Sequence, residues 1–184
     1  MTLQKWLNRD DTELINIIKS EVCQHISKIH AIGVKFYGYA ILPGTSYSVD
    51  NLVAAFNCKT DISSENTNDT YYRYSVDEWE NYVHNEFINT NKLINSLNSQ
   101  FKELHVEKNV NNFVMDEFEI AHITKLHKAI LIALNELRHN GLFGNNNNFV
   151  IIWIPGSDDE IIYQSAKVLN SACVYETFMR EFGI

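Results

Sequence analysis

Apolar residues recur every three or four positions in several segments of this chain, and this spacing predicts amphipathic helices. A short helical piece around Leu3 to Leu7 precedes the first long helix, which begins at Asp10-Asp11 and ends before Gly33. Its apolar stripe consists of Leu14, Ile17, Ile18, Val22, Ile26 and Ile29. Three further helices are predicted over residues 75–101, 116–141 and 158–178, two of which start at the Ser-x-x-Glu spacing of a capping box.

Other segments have the composition of strands, since aromatic and β-branched residues dominate them. The segment 149–154 contains six apolar residues, four of them β-branched, and reads as a strand with both faces covered. Residues 34–42 end at Pro43-Gly44, and a second strand over 47–57 follows closely, which predicts an antiparallel hairpin. Residues 71–74 predict a short third strand, and residues 61–69 a polar loop.

The resulting order is helix, two or three strands, two helices, strand, helix. It predicts one α+β domain over residues 1–184, with a mostly antiparallel sheet of about four strands packed against helices mainly on one side. We expect the strand 149–154 to lie inside the sheet, because an exposed apolar edge invites aggregation. Trp79 and Trp153 are predicted to lie in the core.

Composition narrows the classes of partner. The net charge is −8 without a Lys/Arg cluster, which argues against nucleic acid and favours either a basic partner or solubility alone. No apolar run is long enough to cross a bilayer, and the first residues do not resemble a secretion signal. Cys23, Cys58 and Cys173 lack a C-x-x-C spacing, so we expect reduced core thiols in a cytoplasmic protein.

Four segments resemble the bacterial family catalogued as domain of unknown function 4303. They are Phe36–Ala40, Tyr71–Trp79, Leu126–Ile130 and Trp153–Glu160, and together they span nearly the whole chain. The Tyr-Arg-Tyr-Ser…Glu-Trp block is the most specific of them. The family has no established activity, so the resemblance implies no functional residue. The order of elements is also similar to that of the SUKH superfamily of immunity and scaffold proteins, a likeness of architecture alone.

Seven histidines raise the question of a metal site. Glu119-x-x-His122 and Glu136-x-x-His139 match the Glu-x-x-His pattern of di-iron bundles. Both lie on one predicted helix, 17 positions apart, or about 25 Å along its axis, so they cannot share a metal within that helix. We therefore expect the histidines to be solvated helix-surface residues, and we predict no metal and no organic cofactor.

Carboxylates offer an alternative, enzymatic interpretation. Asp77 and Asp158 could form the pair of a small hydrolase, although acidic residues in a first helical turn also offset the helix dipole. The sequence contains no G-x-S-x-G, no phosphate loop and no G-x-G-x-x-G. No catalytic residue is therefore assigned.

The tyrosines suggest a binding surface. Tyr37 and Tyr39 would share one face of their strand, and Tyr72 and Tyr74 one face of theirs, with Arg73 opposite. Such a patch would suit an interface, because Tyr and Arg are enriched at hot spots. The alternative is that these rings lie beneath the helices with only their hydroxyls in water.

We therefore predict a cytoplasmic protein-binding module of the immunity-protein type, with a basic protein such as a toxin as its partner and neither nucleic acid nor membrane as a ligand. Acidic residues would steer the partner, and aromatic residues would supply most of the affinity. The aromatic and cationic candidates are Tyr37, Tyr39, Tyr72, Arg73 and Tyr74. The acidic candidates are Asp158, Asp159 and Glu160, with Asp61, Glu65 and Asp69 on the polar loop.

Overall fold

The computed structural model describes residues 2–63, 66, 69–105 and 114–183. It confirms the α+β class. None of the described helices is both long and apolar enough to span a bilayer. The elements are, in order, α1 (Leu3–Leu7), α2 (Thr12–Ala31), β1 (Phe36–Thr45), β2 (Ser48–Cys58), α3 (Thr70–Tyr74), β3 (Asn81–Val83), α4 (Ile88–Leu104), α5 (Glu117–His139), β4 (Phe149–Ile152), α6 (Glu160–Leu169) and α7 (Ala172–Phe182).

The four strands form one mixed sheet in the order β3-β2-β1-β4. β2 runs antiparallel to both β1 and β3, as the predicted hairpin requires, but β4 runs parallel to β1. The prediction of a mostly antiparallel sheet was therefore wrong. The prediction that the strand over 149–154 lies inside the sheet was also wrong, because β4 is an edge strand. All four residues of β4 are nevertheless buried.

Side chains from α6 and the residue after it close the free edge of β4. Oδ1 of Asn170 accepts a hydrogen bond from the backbone N–H of Val150 at 2.8 Å, and its Nδ2 donates to the carbonyl of the same residue at 2.7 Å. Oγ of Ser165 accepts from the N–H of Ile152 at 3.0 Å. These bonds replace the ladder that another strand would supply, so the apolar edge is covered without being paired.

The opposite edge of the sheet is closed in the same way. β3 pairs with residues 54–56 of β2, so the earlier part of β2 has a strand neighbour only on the side of β1. Asn91 of α4 accepts from the N–H of Leu52 at 2.7 Å and donates to its carbonyl at 3.3 Å. Asn98, two turns further along α4, donates to the carbonyl of Val49 at 2.9 Å. Asparagine amides thus terminate both edges.

A bulge in β1 decides which face each tyrosine occupies. Phe36 is opposite Cys58 and Gly38 is opposite Asn57, so Tyr37 is an extra residue that no residue of β2 matches. A bulge shifts the alternation of side chains by one position. Tyr39 therefore packs on His25 of α2, whereas Tyr37 packs on Trp79 on the other side of the sheet. The prediction that Tyr37 and Tyr39 share a face was wrong.

Both faces of the sheet are covered, rather than mainly one. α2, α4 and α5 pack together over the face that carries Tyr39. On the other face the indole of Trp79 lies so close to Gly38 that a Cβ there would approach it to 2.7 Å. Phe149 of β4 contacts Trp79, Tyr74 and Phe178 on this side. Trp79 and Trp153 are 3% and 6% exposed, which confirms their predicted place in the core.

Several predicted boundaries were wrong. Residues 71–74 are helical in α3 rather than extended, and the helix expected from residue 75 begins only at Ile88, after β3. Pro43-Gly44 lies within β1, and the hairpin turns at Ser46-Tyr47 instead. The final helix is two helices separated at Asn170-Ser171, because Asn170 turns to bond β4. The break predicted over 107–112 lies outside the described residues.

The cysteines occupy three different environments. Cys58 is buried and Cys23 is half-buried, whereas Cys173 on α7 is exposed, so the expectation of three core thiols was wrong for Cys173. All three thiols are free.

Candidate functional site

Tyr47 is exposed in the turn between β1 and β2, and two further exposed aromatic residues, Tyr71 and Tyr72, lie on the short helix α3. Asp69 begins this helix, because its side chain accepts a hydrogen bond from the N–H of Tyr71 at 2.9 Å. Residues two apart on a helix face roughly opposite directions, since each residue turns the helix by about 100°. Tyr72 is accordingly exposed and Tyr74 is buried, so the prediction that they share a face was wrong.

Tyr72 lines a shallow cavity of about 190 Å³ that we call the acidic depression. Its lining residues are Asn57, Asp61, Ile62, Ser63, Asn66, Tyr72, Glu78 and Glu80. Glu78 and Glu80 are exposed, and Oε1 of Glu78 accepts a weak hydrogen bond from Tyr71 at 3.4 Å. Among the described residues, three carboxylates and no Lys or Arg line the depression, so it carries a negative potential.

Asp61 is fixed in the floor of the acidic depression. Its Oδ2 accepts from the backbone N–H of Cys58 and from Nδ2 of Asn81, both at 2.9 Å. These bonds tie the end of β2 to the start of β3. The carboxylate is therefore held in place before any partner arrives, which lowers the entropic cost of binding.

The other tyrosines named from the sequence serve the interior. Tyr39 is fully buried, and its hydroxyl pairs with Nδ1 of His25 at 2.9 Å. The hydroxyl of Tyr37 accepts from Asn57 at 2.9 Å and donates to the carbonyl of Arg73 at 3.3 Å. Burial raises the pKa of Tyr37 to about 12. Of the four candidate tyrosines, only Tyr72 is exposed, and the predicted aromatic patch is not formed.

The acidic residues predicted around 158–160 lie elsewhere. Asp159 caps α6 by accepting from the N–H of Ile161 at 3.1 Å, while Asp158 and Glu160 are exposed. Asp158 and Asp159 line a second cavity, which shares no residue with the acidic depression. Asp69 is the cap of α3, and Glu65 lies outside the described residues.

The two carboxylates proposed for a hydrolase, Asp77 and Asp158, have different surroundings in the structure. Asp77 accepts a hydrogen bond from Nε1 of Trp153 at 2.9 Å. Among the described residues no hydrogen bond joins Asp77 to Asp158. Asp77 instead anchors the indole of a core tryptophan, which is a structural role.

Histidines form part of a pocket of about 480 Å³ between α4, α5 and the β1–β2 turn. The ring of Phe101 stacks between His105 and His122, with centroid distances of 5.0 Å and 4.5 Å. Nε2 of His105 bonds Asp116, the cap of α5, at 2.7 Å. The carboxylate of Glu119 completes that cap by accepting from the N–H of Asp116 at 2.7 Å.

The residues of the Glu119-x-x-His122 motif therefore act in capping and packing. His25, His122 and His127 are buried, so the expectation of solvated histidines was wrong for these three. Within residues 2–63, 66, 69–105 and 114–183, no three His, Cys, Asp or Glu side chains are grouped so as to hold a metal ion.

Buried histidines predict that the fold loses stability in mild acid. Burial, with a smaller contribution from the charge of Arg9, lowers the pKa of His122 from 6.5 to about 4, and burial also lowers the pKa of His25 and His127. Between pH 6.5 and about pH 4, the unfolded chain therefore binds more protons than the native state. We expect the urea midpoint to fall as the pH is lowered through this range.

Equilibrium urea unfolding of the wild type and of His122→Gln, each followed across that range, checks this expectation. His122→Gln should show a smaller fall than the wild type, whereas the exposed His139→Gln should match the wild type. An equal fall of the urea midpoint in all three proteins would contradict the view that His122 causes the loss of stability in acid.

Residues 14–171 match the family described as domain of unknown function (DUF4303), and the chain belongs to that family. No curated protein and no solved structure matches the chain. The matched span includes α3, the acidic depression and both edges of the sheet.

The sequence prediction missed the contribution of Glu78 and Glu80 to this site. A signal was present, because both flank the core residue Trp79. Trp79 is buried in extended backbone, so the next side chain, Glu80, points towards solvent, whereas Glu78 ends a 3₁₀ turn over Val76–Glu78. Asp61 was among the candidates, but its proximity to Tyr72 depends on the tertiary structure.

Proposed function

We propose that this chain is a cytoplasmic protein-binding module of the immunity-protein type, whose partner is a basic protein. One observation carries the proposal: exposed Tyr72 lines the same depression as Asp61, Glu78 and Glu80. A toxin that the chain neutralises is the specific partner that we favour. We assign the acidic contact to this depression, and the role of Asp158, Asp159 and Glu160 in partner binding stays a prediction.

Charge and shape support this proposal together. The net charge of −8 attracts a cationic protein from a distance, and the carboxylates of the depression would meet its Lys or Arg side chains. Tyr72 offers a large ring of low conformational freedom, and Tyr71 packs edge-on against it at 5.5 Å. Residues of this type supply most of the affinity at protein interfaces.

The proposal predicts separate effects on association and dissociation. Co-expression with the product of the adjacent gene should give a complex that co-purifies. In stopped-flow measurements, Glu78→Lys with Glu80→Lys should slow association roughly tenfold at low salt and much less at high salt, because ions screen exposed charges. Tyr72→Ala should instead speed dissociation by about tenfold or more.

A matched charge reversal locates the surface. Asp158→Lys with Glu160→Lys makes the same change in net charge on exposed residues outside the acidic depression, and should alter association by about twofold at most. Cytochrome c serves as a basic protein without a specific fit, and should not co-purify. Equal slowing by both double variants, or no complex with the adjacent gene product, would refute the proposal.

A further inference from the structure

Another cavity, of about 360 Å³, lies against α3 beside Arg73. We call it the Arg73 pocket, and its lining residues are Thr70, Arg73, Tyr74, Asn147, Cys173, Val174 and Thr177. It shares no residue with the acidic depression. Of the residues that the structure describes, no carboxylate lines this pocket, although the chain contains 23 acidic residues.

Arg73 has no counter-ion among the residues that the structure describes. None of the ion pairs recorded among the described residues includes it. Its Nε is buried and has no hydrogen-bond partner in the part of the chain that the structure describes. A buried N–H donor without an acceptor is costly, so Nε of Arg73 favours an acceptor that a ligand would bring.

The position of Arg73 is fixed from two directions. Its guanidinium carbon lies 5.3 Å from the ring centroid of Tyr37 and 5.7 Å from that of Tyr74. Its backbone carbonyl accepts the hydroxyl of Tyr37, which Asn57 holds in turn. Cation–π contacts with two rings restrain the guanidinium before any ligand binds, so less side-chain entropy remains to be lost.

The rest of the pocket offers neutral donors and a second cation. Thr70 and Asn147 contribute a hydroxyl and an amide to the lining. Thr177 accepts a hydrogen bond from Nη2 of Arg180 at 3.2 Å, which brings a second guanidinium to the rim. Arginine with hydroxyl and amide donors is the set that recognises carboxylate and phosphate oxygens.

From this arrangement we infer that the Arg73 pocket binds a small organic oxyanion, a carboxylate or a phosphate ester. Arg73 bonds two oxygens of the anion, and Thr70 and Asn147 donate to the remaining lone pairs. The cavity is larger than a free anion requires and lies in the range of small-molecule sites, so the anionic group carries an organic body. This site is independent of the proposed function, because the two cavities are separate.

The test uses the purified full-length chain with phenyl phosphate, benzoate and inorganic phosphate as probes. Two-dimensional NMR titration should shift the signals of Thr70, Arg73 and Thr177, with a dissociation constant on the order of 1 mM or tighter for at least one organic probe. Arg73→Gln should weaken that binding at least tenfold, because it removes the charge-assisted pair of bonds.

Two further variants separate binding from folding. Thr70→Val removes one donor and leaves Arg73 on its two rings, and should weaken binding several-fold while keeping the wild-type spectrum elsewhere. Lys167→Gln removes an exposed positive charge from α6 and should bind like the wild type. Absence of binding by the wild type, or equal binding by Arg73→Gln and Lys167→Gln, would overturn the inference.

Discussion

Replacing Asn170 by aspartate is expected to lower the free energy of unfolding by about 3 kcal/mol. The carboxylate can still accept from the N–H of Val150, but its second oxygen replaces an amide that donates to the carbonyls of Val150 and Ala166 at 2.7 Å and 2.9 Å. Two hydrogen bonds are lost, and a negative charge is placed against two carbonyl oxygens. The edge of β4 would then be open.

Urea unfolding at neutral pH measures this loss, and thermal unfolding should show a midpoint lower by roughly 6–12 °C. Asn146→Asp is the matched control, because it makes the same chemical change at an exposed loop position. It should alter the unfolding free energy by less than about 0.5 kcal/mol. If the two variants were equally stable, the side chain of Asn170 would not be what closes the edge.

Replacing Glu21 by glutamine is expected to cost about 3 kcal/mol as well, because its buried carboxylate forms the missing cap of α4. Phe87 precedes α4 and has no side-chain oxygen with which to cap it. Glu21 of α2 accepts instead, from the N–H and Nδ2 of Asn89 at 2.9 Å and 3.0 Å and from the N–H of Thr90 at 3.0 Å. Glutamine in its place would turn its NH₂ group, a donor, towards the N–H groups of Asn89 or Thr90, which are also donors.

Urea unfolding measures the loss of unfolding free energy. Hydrogen exchange tests whether that loss comes from the cap of α4. Amide exchange at Asn89 and Thr90 should accelerate in Glu21→Gln more than exchange in the middle of α4. Glu13→Gln is the control, because Glu13 lies on the same helix and is exposed. Unchanged exchange at Asn89 and Thr90 would contradict the capping role, whatever the change in stability.

The sequence by itself determined the elements whose signals are local. α2 and α5 were predicted closely, because a sustained apolar stripe with a polar start and a glycine after the end leaves few alternatives. The hairpin of β1 and β2 and the burial of Trp79 and Trp153 were also predicted correctly, although the helix expected to carry Trp79 begins only at Ile88. The family was also recognised from the sequence, and the match over residues 14–171 confirms that resemblance.

The binding candidates were only partly predictable. A single bulged residue in β1 moved Tyr37 to the face opposite Tyr39, and no local pattern announced it. In α3, five residues capped by Asp69 form a helix where aromatic composition favours a strand. The packing of Tyr74 against Phe149 and Phe178 overrides that preference, since tertiary contacts outweigh propensities of this size.

Only the tertiary structure decided where β4 lies and how the sheet ends. An apolar strand covered on both faces has the same sequence pattern at the centre of a sheet as at an edge protected by a helix. The difference lies in Asn170, which is close to β4 in space but 20 positions from Val150 in the chain. Its amide bonds the same backbone groups as a neighbouring strand would. Hydrogen bonds between residues so far apart in the chain produce no periodic pattern in the sequence, so the sequence could not predict them.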